Sequence, residues 1–172
     1  EWTVSGLWRW SNSLSEGRQG YIYNNGTNYA TGTNYGSLTS PLIQIPGSGS
    51  PSLRFQYRYA TESSYPYWDQ RWVQIAEDGG EFVNVLQLWD DPTDYWLTSQ
   101  EIDLSAYRGK KIRVRFFFFT VDSQGNTGSG WQIDQISIGS SGLHATCADG
   151  NNSLATATPI SINQSVSGNL IC

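Results

Sequence analysis

The segment IRVRFFFFTVDSQGNTGSGWQIDQISI, residues 112–138, reads as two strands joined by a polar, Gly-rich connector. Ile112, Val114, Phe116 and Phe118 alternate with Arg113, Arg115, Phe117 and Phe119, the period-2 pattern of a strand. Phe at 116, 117, 118 and 119 makes both faces apolar at that end, as in a strand covered on both sides. The connector DSQGNTGSG has the composition of a loop. In the second strand Trp131 and Ile133 share one face, and Ile136 and Ile138 share the other with Asp134. Either a bulge resets the phase near Asp134, or a carboxylate points to the side of core isoleucines. Such a charge needs a partner. The preceding loop offers Asp122 and backbone carbonyls rather than Lys or Arg, which points to a cation.

Working outward, the chain of 172 residues is rich in Gly and aromatics, poor in charge and without Met. No stretch holds a helical period. This is the profile of an all-β domain with many turns. The net charge of −5 gives no electrostatic footprint for nucleic acid, and no apolar run is long enough for a membrane span. The chain opens inside a pattern, EWTVSGLW, and reads as a piece of a longer protein.

Residues 2–10 read as an opening strand, and Tyr21 to Tyr23 as a short strand or part of a loop. Pro41 places the strand 37–45 at an edge or bulge. Leu53, Phe55, Tyr57 and Tyr59 alternate with Arg54, Gln56 and Arg58. A strand over 71–76 turns at EDGG, residues 77–80, into 82–88, and another strand covers 96–104. The spacing predicts a two-sheet antiparallel β-sandwich, a jelly roll, over residues 1–139. Residues 140–172 follow as a linker and a short strand-like tail. Cys147 and Cys172 both lie in this tail; they read as a disulfide, with two separate thiols as the alternative. A disulfide implies an oxidising compartment.

Six phrases carry a family resemblance: SGLWR, GSLTSPLIQIP, LRFQYRY, WVQIAEDGGEFV, EIDLSAYRGKKIRVRFFF and SGWQIDQISI. In this order they resemble the MAM-like jelly-roll module that follows the catalytic domains of immune inhibitor A metallopeptidases and some subtilisin-like peptidases. Gln135 departs from that pattern, which usually has a second acid after Asp134. The tail CADGNNSLATATPISINQSVSGNLIC resembles the first strands of the bacterial pre-peptidase C-terminal domain, in which two cysteines bracket this segment in some members. Both resemblances imply a secreted, extracellular bacterial hydrolase, a peptidase, of which this chain is an accessory part and whose catalytic domain is its partner.

The residues themselves argue against catalysis in this chain. His144 is the single histidine and lies outside the core segment, and neither G-x-S-x-G nor H-E-x-x-H occurs. Two binding chemistries remain. Calcium takes about six to eight hard oxygens, commonly from loop carboxylates and carbonyls. Asp134 resembles a structural calcium position in sugar-binding jelly rolls, and Glu62, Asp69 and Asp122 lie in loops expected to converge on it. The alternative is that Asp134 bonds the amides of its own connector. The second chemistry is aromatic. Eight Trp and ten Tyr exceed the needs of one core, and Tyr65, Tyr67, Trp68 and Trp89 lie in loops beside polar residues. Such rings stack on sugars or grip protein chains. The strand tryptophans Trp2, Trp8, Trp72, Trp96 and Trp131 are expected to fill the sandwich. The function expected is therefore substrate or surface binding, or stabilisation of the catalytic domain. A glycan-binding module of a glycoside hydrolase and a plain structural spacer are the alternatives.

Overall fold

The computed structural model describes residues 1–62, 67–89 and 95–140. The chain divides into two units, Glu1–Ser140 and Ser141–Cys172, and every described residue belongs to the first. His144, Cys147 and Cys172, with the disulfide expected between the two cysteines, lie outside the described residues.

The strands are, in chain order, β1 (Thr3–Val4), β2 (Trp8–Ser11), β3 (Gly20–Tyr23), β4 (Tyr35–Thr39), β5 (Ile43–Gln44) and β6 (Pro51–Ala60). There follow β7 (Gln70–Glu77), β8 (Val83–Gln87), β9 (Leu97–Thr98), β10 (Ile102–Asp103), β11 (Lys111–Phe119) and β12 (Gly130–Ser140). They form two antiparallel sheets. In sheet A the order is β1-β4-β11-β7-β8, with β5 also on β11; in sheet B it is β10-β6-β12-β3-β2, with β9 also on β6. The protein is a two-sheet β-sandwich, as the strand spacing predicts.

The two strands of the opening segment take the middle of the two sheets. β11 lies between β4 and β7, and β12 between β6 and β3. Their alternation fills the space between the sheets: Ile112, Val114, Phe116 and Phe118 from one side, Trp131 and Ile133 from the other, all fully buried. Phe116 sits edge-on to Phe55, with ring centroids 4.9 Å apart, and 6.0 Å from Trp131. Trp8 lies 5.3 Å from Trp131, and Tyr23 4.7 Å from Phe118. Aromatic rings with this much buried area dominate the energetics of a core.

The phase problem at Asp134 is resolved by a bulge. The pairing of β12 with β6 shifts between Asp134 and Ser137, and Gln135 takes a positive φ of 48°. Ile133 before the bulge and Ile136 and Ile138 after it therefore all pack on the core, while Asp134 stays on the outer face.

Four details differ from the pattern read in the sequence. The opening strand breaks at Gly6, φ 63°, where a Cβ would press on the carbonyl of Tyr35, so β1 joins sheet A and β2 joins sheet B. The strand 96–104 is two short pairings with β6 rather than one strand. β11 is not covered on both sides: Phe117 and Phe119 are half-buried on an open outer face. Trp72 is cross-strand neighbour of Phe117 on that face, and Trp96 donates Nε1–H to the Ser15 carbonyl (3.3 Å) under the Arg18 guanidinium. Neither Trp72 nor Trp96 belongs to the core, whereas Trp8 and Trp131 do and Trp2 packs against it.

Candidate functional site

At the end of the sandwich where β6, β11 and β3 finish, residues 24–34, 61–62, 67–69 and 120–129 lie in the connections from one sheet to the other. They bring three of the four predicted acids together. Asp69 is fully buried; its Oδ2 accepts from the Tyr29 hydroxyl (2.6 Å) and the Glu62 N–H (2.9 Å). The Glu62 carboxylate lies against Gly125, whose φ is 66° and whose hypothetical Cβ would stand 2.7 Å from it. The charge of Asp122 reaches Glu62, and the Asp122 carbonyl accepts from Thr120 Oγ1 (2.9 Å) and Asn126 Nδ2 (3.2 Å). Asn126 Nδ2 also donates to the Gly32 carbonyl (3.2 Å), which ties two of the loops.

The charges here are out of balance. Burial pushes Asp69 up to about 6, outweighing its hydrogen bonds to Tyr29 and Glu62 and the nearby Arg71. Glu62 is raised by burial and by Asp122. Tyr29 is raised, first by burial and then by its bond to Asp69. The counter-charge is Arg71, itself fully buried and lowered by burial. Its Nη1 donates to Thr61 Oγ1 and the Glu62 carbonyl (3.1 Å), its Nη2 to the Leu88 carbonyl (3.3 Å), and its guanidinium lies 4.0 Å from the Tyr59 ring. Arg71 thus pins the 61–62 and 88 backbones to one another.

Three oxygens in this cluster are buried without a hydrogen-bond partner: Glu62 Oε2, Asp69 Oδ1 and Asn126 Oδ1. A buried acceptor left bare costs about 1–3 kcal/mol. All three are hard oxygens of the kind that hold calcium or magnesium. Among the described residues, no three His, Cys, Asp or Glu side chains stand close enough to hold a metal by themselves. The amide of Asn126 and loop carbonyls have to complete any such set.

Asp134 does not join this group. It pairs with Gln56 of β6, four residues along β12 from Gly130, or about 13 Å at 3.3 Å per residue. Its Oδ2 faces Arg18 Nη1 at 3.5 Å and its Oδ1 accepts from the Gln135 N–H at 2.6 Å. The cationic partner missing from the neighbouring sequence comes from Arg18, 116 positions away.

The aromatic candidates border the same loop end. Trp68 is 42% exposed, Tyr67 78% and Trp89 52%; Tyr65 lies outside the described residues. Trp89 stands edge-on to Trp72 with centroids 6.5 Å apart. It opens onto a cavity of about 180 Å³ lined by Tyr57, Leu86, Gln87, Leu88 and Gln100. Tyr29, Arg71 and Asn126 are not among the site residues expected from the sequence. Arg71 had a signal, since it shares the parity of inward-facing Val73 and Ile75. Asn126, inside a Gly-rich connector, had none.

No family model matches the chain. It is 31% identical over 144 residues to Bacillopeptidase F of Bacillus subtilis (strain 168), a match covering 78% of this chain. The chain spans about a tenth of the length of that curated relative. Among solved structures, the module TmCBM61, in complex with beta-1,4-galactotriose, superposes with a TM-score of 0.55 at 12% identity, over 81% of this chain and 88% of the other. A cleaved adhesin domain of Lys-gingipain from Porphyromonas gingivalis gives a TM-score of 0.52 at 15% identity, over 82% and 91%. At these identities the structural likeness establishes the shared β-sandwich fold.

Proposed function

We propose that this chain is a non-catalytic accessory domain of a secreted bacterial hydrolase, a peptidase, which it serves by engaging a substrate or surface. The observation that carries the reading is the 31% identity over 144 residues to a segment of Bacillopeptidase F. The catalytic domain of the same polypeptide is then its first partner, and the compartment is extracellular. The MAM-like and pre-peptidase C-terminal resemblances agree with this setting. The loop end with Trp68 and Trp89 is the binding side in this reading, because exposed indoles, Trp89 beside a cavity edged by Gln87 and Gln100, offer flat apolar area at low entropic cost. The test is co-sedimentation with insoluble protein substrates and cell envelopes. Trp68→Ala and Trp89→Ala are expected to lower the bound fraction severalfold with the melting temperature unchanged. Equal binding by both variants and the parent would place the function elsewhere.

A second reading, a carbohydrate-binding module, draws on Trp89 leaning on Trp72 above a cavity edged by Gln87 and Gln100. The likeness to TmCBM61, solved with a galactotriose, supports it at the level of fold. Specific retention on a glycan array, lost in Trp89→Ala, would favour it over the peptidase setting. A domain that binds neither proteins nor glycans would instead be a spacer.

The structural ion proposed with this function is calcium, held by Glu62, Asp69 and Asn126 with carbonyl oxygens of the 120–129 connection near Asp122. The support is the set of buried, unpartnered oxygens on converging loops. The ion would supply the positive charge that Arg71 alone does not, and would fix the loops that present Trp68. Asp134, already facing Arg18, is left out of this set.

A further inference from the structure

We propose that the outer face of sheet A is a binding surface for an anionic polysaccharide. This surface borders the loop-end site, with which it shares Trp72 and Gln87, and does not rest on the accessory-domain reading. The odd-numbered residues of β11 face outward: Lys111, Arg113 and Arg115, then Phe117 and Phe119. Cross-strand neighbours extend this row into a grid. Phe117 lies between Ser37 and Trp72, and Arg115 between Thr39 and Gln74; Trp72 and Gln74 in turn adjoin Gln87 and Asn84. Cations therefore recur at every second residue, about 6.6 Å apart, and lead onto a pair of rings.

The charge on this face runs against that of the chain. The sequence carries 15 Asp and Glu against 10 Lys and Arg, yet none of these grid positions holds a carboxylate. The ion pairs among the described residues use Arg18, Arg54, Arg58 and Lys110, never Lys111, Arg113 or Arg115. The acids at the border are Glu81, whose charge reaches Arg115, and Asp78, whose N–H donates to the Lys111 carbonyl.

Arg115 is held ready. Its Nε donates to Gln74 Oε1 (2.7 Å), and its guanidinium lies 3.7 Å from the Phe82 ring centroid and 5.7 Å from that of Phe117. No other hydrogen bond engages its terminal nitrogens among the described residues, which leaves the edge that forks onto a carboxylate or sulfate. Arg113 donates from Nη1 to the Ser40 carbonyl (3.1 Å), which fixes its direction.

The rest of the face favours a sugar chain over a peptide. β11 and β7 are paired on both sides, so an incoming strand finds no free backbone edge to extend. What it does offer is ring faces, which stack on the C–H faces of pyranoses, and side-chain amides, which like hydroxyls both donate and accept. The amides are fixed by one another: Gln74 Nε2 donates to Asn84 Oδ1 (2.7 Å) and Gln87 Nε2 to Gln70 Oε1 (2.5 Å).

The test is affinity electrophoresis of the whole chain through gels containing polygalacturonate, neutral galactan or poly-L-glutamate. Retardation is expected with polygalacturonate alone, fading as salt is raised. Arg115→Gln and Arg113→Gln are each expected to weaken it roughly tenfold, while Arg54→Gln on the other sheet leaves it unchanged. Should Arg115→Gln fail to fold, Lys111→Gln with Arg113→Gln, at the more open end of the row, carries the same expectation. No retardation by polygalacturonate, equal retardation by galactan or poly-L-glutamate, or full binding by the folded Arg variants would overturn the proposal.

Discussion

Gln135 is the residue on which β12 changes phase, and it does so in a conformation that costs an L-residue free energy. Its φ of 48° is left-handed, and the Asp134 Oδ1 bond to its N–H, at 2.6 Å, is the local contact holding it there. Glycine adopts this conformation freely, so Gln135→Gly is expected to stabilise the fold by about 0.5–1 kcal/mol, read as a higher urea midpoint with unchanged slope. No gain would mean that the bulge is held by more than this residue. The bulge was one of two readings the sequence left open, because Trp131 and Ile133 cannot share a face with Ile136 and Ile138 in a regular strand, and the register shift decides for it. The partner of Asp134 was not legible there, since Arg18 reaches it through the fold rather than along the chain.

At the scale of the element, β11 shows how far alternation can be trusted. Its even-numbered residues are the core, and its odd-numbered ones are half-open. Phe116→Ala is expected to cost about 3–5 kcal/mol, because the cavity would open among Phe55, Trp131 and Trp2. Phe117→Ala, one residue on, is expected to cost about 1 kcal/mol or less. Chemical denaturation of the two variants checks the contrast; similar losses would mean that the outer face is covered. The long strands β6, β7, β11 and β12 were readable because each holds enough alternating positions to show a period. The pieces β1, β5, β9 and β10 have two residues apiece, and no pattern survives at that length. The loop end was readable as a supply of acids and loop aromatics. Which of them meet depends on crossings between sheets, and these also bring in Tyr29 and Arg71, which looked ordinary in sequence.

For the molecule as a whole, the buried acids set the pH dependence of stability. The folded-state pKa of Asp69 is raised from 3.8 to about 6 by burial, so the folded form holds this proton more tightly than the unfolded chain. Stability of the metal-free protein should therefore fall as pH rises from about 4 to about 6 and level off above, by on the order of 2–3 kcal/mol. Glu62, raised in the same direction, adds to the slope. Calcium would remove it by holding both carboxylates ionised, and Asp69→Asn should flatten it with EDTA present. Urea midpoints across this range, with calcium and with EDTA, measure all three; identical curves in the two media would remove the ion from the account. The strand order has a consequence of another kind, in time rather than in energy. Both sheets take their middle strands from residues 111–140. Until that part of the chain has been synthesised, β4 and β7 have nothing between them, and β3 has no link to β6. Neither sheet can be completed from the amino terminus forward. The chain must stay open until its central strands arrive, and then close around them through pairings distant in sequence, a topology that folds slowly compared with local ones.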